Sequence, residues 1–188
     1  MLNLPNFLTL IRILTIPFFL VLLAYHRYFE ALILFVFGGI TDFFDGLIAR
    51  WMNQQTPLGA FLDPVADKLL VLASYVMLGF VGGIPMWFAV VVISRDVLIL
   101  LGFCVIGLML EERPEIKPTR IGKWSTMFQL LTLGVALALL HQPAFVPPIA
   151  LDLLIATTSL TTIVSGMQYL YRGFVWLQTK APTITHIG

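Results

Sequence analysis

Six long, predominantly apolar stretches without a charged residue constrain the fold of this chain more than any other feature. They are Ile13–Tyr25, Ala31–Thr41, Leu69–Ser94, Val97–Leu110, Trp124–Leu151 and Leu153–Tyr171. A helix that crosses a lipid bilayer needs about 20 mostly apolar residues. The stretches do not alternate polar and apolar residues, as the strands of a membrane barrel would. The sequence therefore predicts an all-α integral membrane protein with six transmembrane helices.

The composition excludes several other classes of protein. Of the 188 residues, 59% are hydrophobic and 11% are charged, and the mean hydropathy is +0.96. Because a soluble domain carries about 25% charged residues, a soluble enzyme and a disordered chain are both excluded. The single cysteine, Cys104, has no partner for a disulfide within the chain. A net charge of +1 provides no bulk field to attract nucleic acid, and we expect no nucleic-acid partner.

The distribution of basic residues predicts the orientation in the membrane. The expected helices lie near residues 6–25, 30–51, 58–81, 84–110, 120–141 and 147–173. An even number of spans places both termini on one side. Most basic residues fall on that side, namely Arg50, Arg113, Lys117, Arg120, Lys123, Arg172 and Lys180. The positive-inside rule then predicts that both termini are cytoplasmic. Without repeats or a linker, residues 1–188 are expected to form a single domain.

Four acidic residues lie close together where the second predicted helix ends and the third begins. On the second helix, Asp42, Asp45, Gly46, Ala49 and Arg50 recur at spacings of three and four residues, and Gly59, Asp63 and Asp67 follow at spacings of four on the third. Residues so spaced share one face of a helix. The turn between the two helices is short, which predicts antiparallel neighbours with facing acidic groups. Ionisable residues within a membrane are costly and usually functional.

The chemistry of this cluster points to hard divalent cations. Oxygen-only ligands suit Mg²⁺ or Mn²⁺, and the cluster contains no His or Cys that would favour zinc. The small residues Gly46, Ala49 and Gly59 allow a ligand to approach the backbone, and Arg50 can pair with a phosphate. The combination suggests a diphosphate held by two metal ions. The alternative is a structural carboxylate network, or acids solvated at helix ends.

These residues also carry a resemblance to a known family. The positions from Asp42 to Asp67 follow the pattern D-x2-D-G-x2-A-R-x8-G-x3-D-x3-D without a departure, and this resembles the CDP-alcohol phosphatidyltransferases. The segment Leu4–Arg12 is similar to the P-N-x-L-T-x-x-R opening of the glycerophospholipid branch of that family. That branch contains phosphatidylglycerophosphate synthases and cardiolipin synthases.

The resemblance implies a role for each matched residue. Asp42, Asp45 and Asp63 would bind metal, and Asp67 would complete the metal site and act as the general base. The CDP group would lie against Gly46, Ala49, Arg50 and Gly59, with Asn6 and Thr9 at its edge. The implied reaction transfers the phosphatidyl group from CDP-diacylglycerol to a glycerol-type acceptor and releases CMP. The resemblance also implies a homodimer with its active site at the cytoplasmic face, in a bacterial inner membrane.

A second polar set suggests where the acceptor binds. Arg95 lies between two apolar runs within the fourth predicted helix. Around the start of the fifth helix lie Lys117, Arg120 and Lys123. The three later residues fit either an acceptor-phosphate pocket or the positive-inside rule alone. Arg95 needs a partner within the membrane, and we favour a position in the pocket over a simple pair with Asp96. The acceptor is either glycerol-3-phosphate or phosphatidylglycerol, because the segment ISRDVLIL departs from the Arg-Glu that is frequent in phosphatidylglycerophosphate synthases.

Two other functions are compatible with acidic groups in a membrane. One is an intramembrane prenyltransferase that binds a magnesium diphosphate, but its two acidic motifs lie on distant helices. The other is a divalent-cation transporter, which would place its carboxylates near the middle of the bilayer. The aspartates here lie near one face, and a transporter has no use for a nucleotide cradle.

Overall fold

The computed structural model describes residues 4–52, 57–109 and 119–184, and these residues form six α-helices. The helices are α1 (Leu4–Ala24), α2 (Tyr28–Met52), α3 (Pro57–Val81), α4 (Met86–Met109), α5 (Arg120–His141) and α6 (Pro148–Ile184). The predicted helices agree with these bounds to within about two residues, except at the end of α6. That helix runs to Ile184 instead of ending near residue 173, since residues 174–181 contain no glycine or proline to stop it.

Successive helices in the second half of the chain run in opposite directions. Between α3 and α4, Lys68 contacts Asp96, and further along α3 Tyr75 contacts Phe88, which lies earlier on α4. Helix α5 pairs with α6 in the same manner. By contrast, α3 and α5 run in the same direction. The Tyr75 hydroxyl on α3 donates a hydrogen bond to the Gln129 carbonyl on α5, and Gly83, just after the end of α3, lies against Leu140, near the end of α5. Helices α3 and α5 therefore begin at the same end of the bundle.

The interior of the bundle contains both apolar and polar side chains. Large apolar side chains fill the centre, including Phe19, Leu23, Tyr75, Phe88 and Leu137, each 0–1% exposed. Serine and threonine hydroxyls are buried beside them on α5 and α6 at Ser125, Thr132, Thr158, Thr162 and Ser165. Small and hydroxyl-bearing residues are typical of helix contacts within a membrane.

Apolar side chains also cover much of the outer surface. Phe18, Phe37 and Leu160 are each more than 60% exposed, on three different helices. A water-soluble monomer rarely exposes large continuous apolar patches, whereas lipid chains cover them in a membrane protein. The described residues thus have the surface that the composition predicts.

Two segments of the described chain are long and apolar enough to cross a membrane by length and composition. They are Arg120–His141 and Ile149–Val175. Shorter apolar segments occupy Ile13–Ala24, Tyr28–Thr41 and Lys68–Val81. The all-α prediction is confirmed for the described residues, while the count of six spans stays a prediction.

The turn between α3 and α4 depends on a glycine conformation. Gly82 has a φ of +84°, and the amide of Gly83 donates to the carbonyl of Leu78 at 2.9 Å. This is the Schellman arrangement, in which the residue after the helix adopts a left-handed conformation that glycine accepts without cost. His26 occupies the same position after α1 with a φ of +57°.

We expect Gly82→Ala to lower the free energy of unfolding by about 1 kcal/mol, because a β-carbon is disfavoured in the left-handed region. The thermal midpoint of the purified protein in one detergent measures the effect. Gly39→Ala inside α2 is the matched control, since no atom of the described residues lies within 4 Å of the added β-carbon and Gly39 has no positive φ. Alanine has the higher helix propensity, so the midpoint of this control should stay unchanged or rise. An unchanged midpoint for Gly82→Ala would contradict the strain at this turn.

Candidate active site

The aspartate motif lies on two helices, as predicted. Asp42, Asp45, Gly46, Ala49 and Arg50 belong to α2, and Gly59, Asp63 and Asp67 belong to α3. Because both segments are helical, the spacings of three and four residues place each set on one face. The side chains of these eight residues lie outside the described residues, as do those of Asn6 and Thr9 and the whole of Lys117.

No group of three His, Cys, Asp or Glu side chains that could hold a metal ion occurs among the residues whose side chains are described. The predicted metal ligands Asp42, Asp45, Asp63 and Asp67 all lie outside that set. Their assignment therefore stays a prediction. The chemistry of the donor set fits a hard divalent cation, since four carboxylates supply only oxygen ligands.

A cavity of about 400 Å³ lies directly beside the end of this motif. It lies between α3, α4, α5 and α6 and is open to the outside of the bundle. The residues that line it are Lys68, Arg95, Ile99, Gly122, Lys123, Thr126 and Tyr169. Lys68 follows Asp67 directly on α3. The sequence prediction for Arg95 and Lys123 therefore agrees with one shared cavity, which also contains the unpredicted Lys68.

A buried carboxylate links two of the three cations. Asp96 accepts a hydrogen bond from Lys68 Nζ at 2.8 Å through Oδ2, and from Arg95 Nη1 at 2.6 Å through Oδ1. The Asp96 side chain is 5% exposed and the Lys68 side chain 26% exposed. Arg95 thus pairs with Asp96 and also lines the cavity, and its role at an acceptor phosphate stays a prediction.

Helix α6 holds the other side of the Arg95 guanidinium. Nη2 of Arg95 donates to the Ser165 hydroxyl at 2.8 Å, and the guanidinium carbon lies 5.7 Å from the centre of the Tyr169 ring. A cation at that distance from an aromatic ring is attracted to its face. Nε of Arg95 is buried and has no hydrogen-bond partner among the described residues. The guanidinium, bonded through both Nη1 and Nη2, is therefore fixed in its plane.

The start of α5 places Lys123 and Gly122 at the cavity. Thr119 caps the helix, and its hydroxyl accepts a hydrogen bond from the Gly122 amide at 2.9 Å. Gly122 is buried between Thr119, Arg95 and Ser165, and a β-carbon there would lie 3.0 Å from the Thr119 hydroxyl oxygen. The absence of a side chain at Gly122 lets α5 approach the guanidinium closely.

Hydroxyl pairs hold α5 and α6 together beyond the cavity. Ser125 is hydrogen-bonded to Thr162 at 3.0 Å, and Thr132 to Thr158 at 2.9 Å. Interhelical hydroxyl bonds stabilise helix association inside a membrane. The Ser125–Thr162 bond lies within three residues of both Lys123 and Ser165, whereas the Thr132–Thr158 bond lies further along the two helices.

Several residues of the cavity were not predicted from the sequence. Lys68 and Tyr169 line the cavity, and Ser165 on α6 bonds to Arg95 beside it. A signal existed for Lys68, because a cation next to an aspartate in an apolar helix is unusual. Arg120 is exposed as the first residue of α5 and is not among the described residues that line the cavity.

The ion pair between Arg27 and Glu30 lies at the end of the bundle opposite the cavity, and unlike the Arg95–Asp96 pair it is exposed. Arg27 Nε donates to Glu30 at 2.8 Å, and the side chains are 62% and 39% exposed. The hydrogen bond from Arg27 holds the pKa of Glu30 below its ordinary value. An exposed pair of this type contributes little stability and indicates no site.

Comparison with known proteins identifies relatives along almost the whole chain. The family model described as CDP-alcohol phosphatidyltransferase matches residues 2–168. The aspartate motif and the cavity residues from Lys68 to Thr126 fall within that range, and Tyr169 lies one residue beyond it.

Individual relatives carry two kinds of names. The chain is 38% identical to a CDP-diacylglycerol–glycerol-3-phosphate 3-phosphatidyltransferase of Haemophilus influenzae, over 89% of this chain and 91% of that protein. It is 38% identical to a protein with the same name from Pseudomonas fluorescens, over 94% of this chain and 93% of the relative. It is also 33% identical to a human cardiolipin synthase (CMP-forming), over 91% of this chain and 62% of the human protein.

Proposed function

We propose, from the premise that this chain belongs to the CDP-alcohol phosphatidyltransferase family, that glycerol-3-phosphate is its preferred acceptor and binds in the cavity. The protein is a membrane enzyme of phospholipid biosynthesis. It transfers the phosphatidyl group of CDP-diacylglycerol to a glycerol-type acceptor and releases CMP. The proposal concerns which acceptor is used and where its phosphate binds.

The charge of the cavity is the observation that carries this choice. Lys68, Arg95 and Lys123 supply three positive charges, and Asp96 offsets one of them. The two remaining charges match a phosphate monoester, which carries about −1.5 to −2 at pH 7. A phosphodiester carries a single negative charge and would leave one cation uncompensated.

The aspartate motif supplies the other half of the proposed site. Asp42, Asp45, Asp63 and Asp67 would hold the divalent metal that this family generally uses, as two Mg²⁺ or Mn²⁺ ions. When bound, the ions would offset the negative charge of the diphosphate. The CDP group would lie along Gly46, Ala49, Arg50 and Gly59, with Asn6 and Thr9 at its edge.

The proposed reaction is an in-line displacement at phosphorus. Asp67 accepts the proton of the acceptor hydroxyl, and the oxygen attacks the phosphorus bonded to diacylglycerol. The bond from that phosphorus to the oxygen it shares with CMP breaks, and CMP leaves with the electron pair. Since Lys68 follows Asp67, an acceptor anchored through its phosphate in the cavity would present its hydroxyl to the base.

A second candidate acceptor is phosphatidylglycerol. The similarity to a cardiolipin synthase favours it, at 33% identity over 91% of this chain. The headgroup phosphodiester of phosphatidylglycerol could also contact the three cations, although with less complete charge compensation.

An acceptor screen distinguishes the two. Purified protein with Mn²⁺ and radiolabelled CDP-diacylglycerol is offered glycerol-3-phosphate, phosphatidylglycerol, inositol phosphate or serine in separate reactions. We expect phosphatidylglycerophosphate from the first reaction and little product from the others. Cardiolipin from the second reaction alone would select the alternative acceptor. Failure to release CMP with any acceptor would reject the enzymatic proposal.

We expect Arg95→Lys to raise the KM for glycerol-3-phosphate by about tenfold to a hundredfold. Lysine keeps the charge but cannot bond Asp96 and Ser165 together in one plane, and hydrogen bonds to charged groups contribute about 1.5–3 kcal/mol. The KM for CDP-diacylglycerol should change little. Arg27→Lys is the matched control at the opposite end of the bundle, and equal effects of both variants would reject the cavity as the acceptor site.

Gly122→Ala should raise the same KM by about three- to tenfold, the equivalent of one weakened hydrogen bond. The added β-carbon would lie 3.0 Å from the Thr119 hydroxyl oxygen, which is a tight contact, and 3.4 Å from both Arg95 Nη2 and the Ser165 hydroxyl oxygen. Relief of the tight contact would shift α5 against the Arg95 guanidinium. Initial rates at varied glycerol-3-phosphate concentration measure the change. Gly102→Ala on α4 is the control, because no atom of the residues that the structure describes lies within 4 Å of its β-carbon. A normal KM in Gly122→Ala would mean that the guanidinium tolerates displacement.

We also propose six membrane spans, both termini in the cytoplasm of a bacterial cell, a single domain over residues 1–188, and a homodimer in the inner membrane. The basic residues on one side of the bundle support the orientation. In a Cys104→Ser background, His26→Cys should react with an impermeant maleimide added outside spheroplasts. A cysteine added at the N-terminus should not. The reverse pattern would invert the topology, and light scattering of the detergent-solubilised protein tests the dimer.

A further inference from the structure

Asp96 occupies a position that the proposed reaction has not yet used. Its two carboxylate oxygens hold two different cations, Lys68 from α3 and Arg95 from its own helix. Asp96 itself is not among the described residues that line the cavity, whereas both of its partners are. The carboxylate thus lies behind the cations and not in the path of a ligand.

The bonds to Asp96 restrict groups that would otherwise be mobile. A lysine side chain has four rotatable bonds, and one that is 26% exposed would sample many positions without an anchor. For Arg95, the bonds to Asp96 and Ser165 lie on the two terminal nitrogens and fix the plane of the guanidinium. Groups that are ordered before a ligand arrives do not have to be ordered by the ligand, which increases affinity.

Asp96 also limits repulsion among the cations. Three positive charges surround a cavity of about 400 Å³, and they repel each other more strongly in a low-dielectric interior than in water. A buried carboxylate bonded to two of them lowers this repulsion while the cavity is empty. The cavity then keeps two uncompensated positive charges, which match a dianion better than a monoanion.

We infer that Asp96 is a positioning residue for the acceptor: it fixes Lys68 and Arg95 and sets the charge of the cavity that binds the acceptor phosphate. The inference rests on the proposed function, which assigns the acceptor phosphate to this cavity. A role in folding alone predicts a different result, because a purely structural ion pair would affect both substrates equally.

The test separates the KM values of the two substrates. Asp96→Asn, Asp96→Glu and wild type are purified in one detergent, and initial rates with Mn²⁺ are measured against glycerol-3-phosphate and against CDP-diacylglycerol. Asparagine offers one acceptor oxygen, so its amide N–H faces one of the two cations. We expect Asp96→Asn to raise the acceptor KM by about tenfold. The KM for CDP-diacylglycerol should stay within about twofold, and Asp96→Glu should restore most of the acceptor affinity.

Thr132→Val provides the matched control for stability. It removes a buried hydroxyl pair between α5 and α6 that does not line the cavity. This variant should lower the thermal midpoint and leave the acceptor KM unchanged. If Asp96→Asn raises both KM values together, or leaves the acceptor KM unchanged, the inference is overturned.

A second variant keeps the test decisive if Asp96→Asn does not fold. Lys68→Gln removes one of the two cations that Asp96 holds while leaving Arg95 bonded to it. We expect Lys68→Gln to raise the acceptor KM and to leave the KM for CDP-diacylglycerol within about twofold. An unchanged acceptor KM, or an equal rise of both KM values, would show that Asp96 does not act through Lys68.

The outcome for Arg95 distinguishes failure of this inference from failure of the proposed function. If Arg95→Lys leaves the acceptor KM unchanged, the cavity is not the acceptor site, and both the proposed acceptor site and the role of Asp96 are rejected. If Arg95→Lys raises it and Asp96→Asn does not, only the role of Asp96 is rejected. If phosphatidylglycerol is the active acceptor, the same KM comparison is made with that lipid, and the inference is judged by it.

Discussion

Asp67→Asn is expected to lower turnover by about 10²–10⁴-fold, the contribution that a general base typically makes. Asparagine has nearly the same size as aspartate and keeps one oxygen that can contact a cation, but it cannot accept the proton of the acceptor hydroxyl. Binding of CDP-diacylglycerol should therefore survive in this variant. The acceptor KM should also survive, because Lys68 and Arg95 remain bonded to Asp96.

Two measurements test this separation between binding and turnover. Release of CMP gives turnover, and calorimetry with CDP-diacylglycerol and Mn²⁺ gives binding. Asp152→Asn is the control, since Asp152 is an exposed residue near the start of α6. Turnover of Asp67→Asn within about tenfold of wild type would remove Asp67 as the general base.

The helices could be predicted from the sequence because their signals are local. Uncharged runs, Pro57 at a helix start and the turn at Gly82 each depend on neighbouring residues. The start of α5 was predicted at residue 120, where Thr119 supplies a capping hydroxyl. The far end of α6 was not predicted, because the uncharged run ends at Tyr171, before Arg172, and suggested an end that the backbone does not require.

The cavity could be predicted only in part, because it depends on contacts between distant segments. Arg95 drew attention as a cation inside an apolar helix, and Lys123 as part of a basic group. Ser165 and Tyr169 gave no such signal, since hydroxyl groups are common in membrane helices. Their importance comes from the packing of α6 against α4, which places Ser165 within 2.8 Å of a residue 70 positions earlier.

Helix α3 is central to the proposed chemistry because it carries residues of both the aspartate motif and the cavity. Helix α3 carries Asp63 and Asp67 in its first half, and Lys68 follows immediately. Lys68 is bound to α4 through Asp96, so the position of α3 is coupled to that of the acceptor cavity. A change in the α3–α4 contact should therefore alter acceptor affinity before it alters the binding of CDP-diacylglycerol.

Asp63→Ala is expected to abolish Mn²⁺ binding and to lower turnover by at least about 100-fold. Alanine removes one of four proposed carboxylate ligands without supplying another oxygen, and a metal ion that stabilises transition-state charge contributes several kcal/mol, with about 1.4 kcal/mol for each factor of ten. CDP-diacylglycerol should also bind more weakly, since its diphosphate would lack the cations that compensate its charge. Calorimetric titration with Mn²⁺, in the presence and absence of CDP, measures both effects.

The comparison between Asp63→Ala and Asp67→Asn makes the assignment decisive. The two residues lie one turn apart on α3, so a general disturbance of the helix would affect both variants in the same way. Separate roles predict that Asp67→Asn keeps substrate binding and that Asp63→Ala loses it, with Asp152→Asn unchanged in both assays. Undiminished Mn²⁺ affinity in Asp63→Ala would exclude that carboxylate as a ligand. Because Lys68, Arg95 and Asp96 do not depend on the metal, the thermal midpoint of Asp63→Ala should stay close to that of wild type measured without metal.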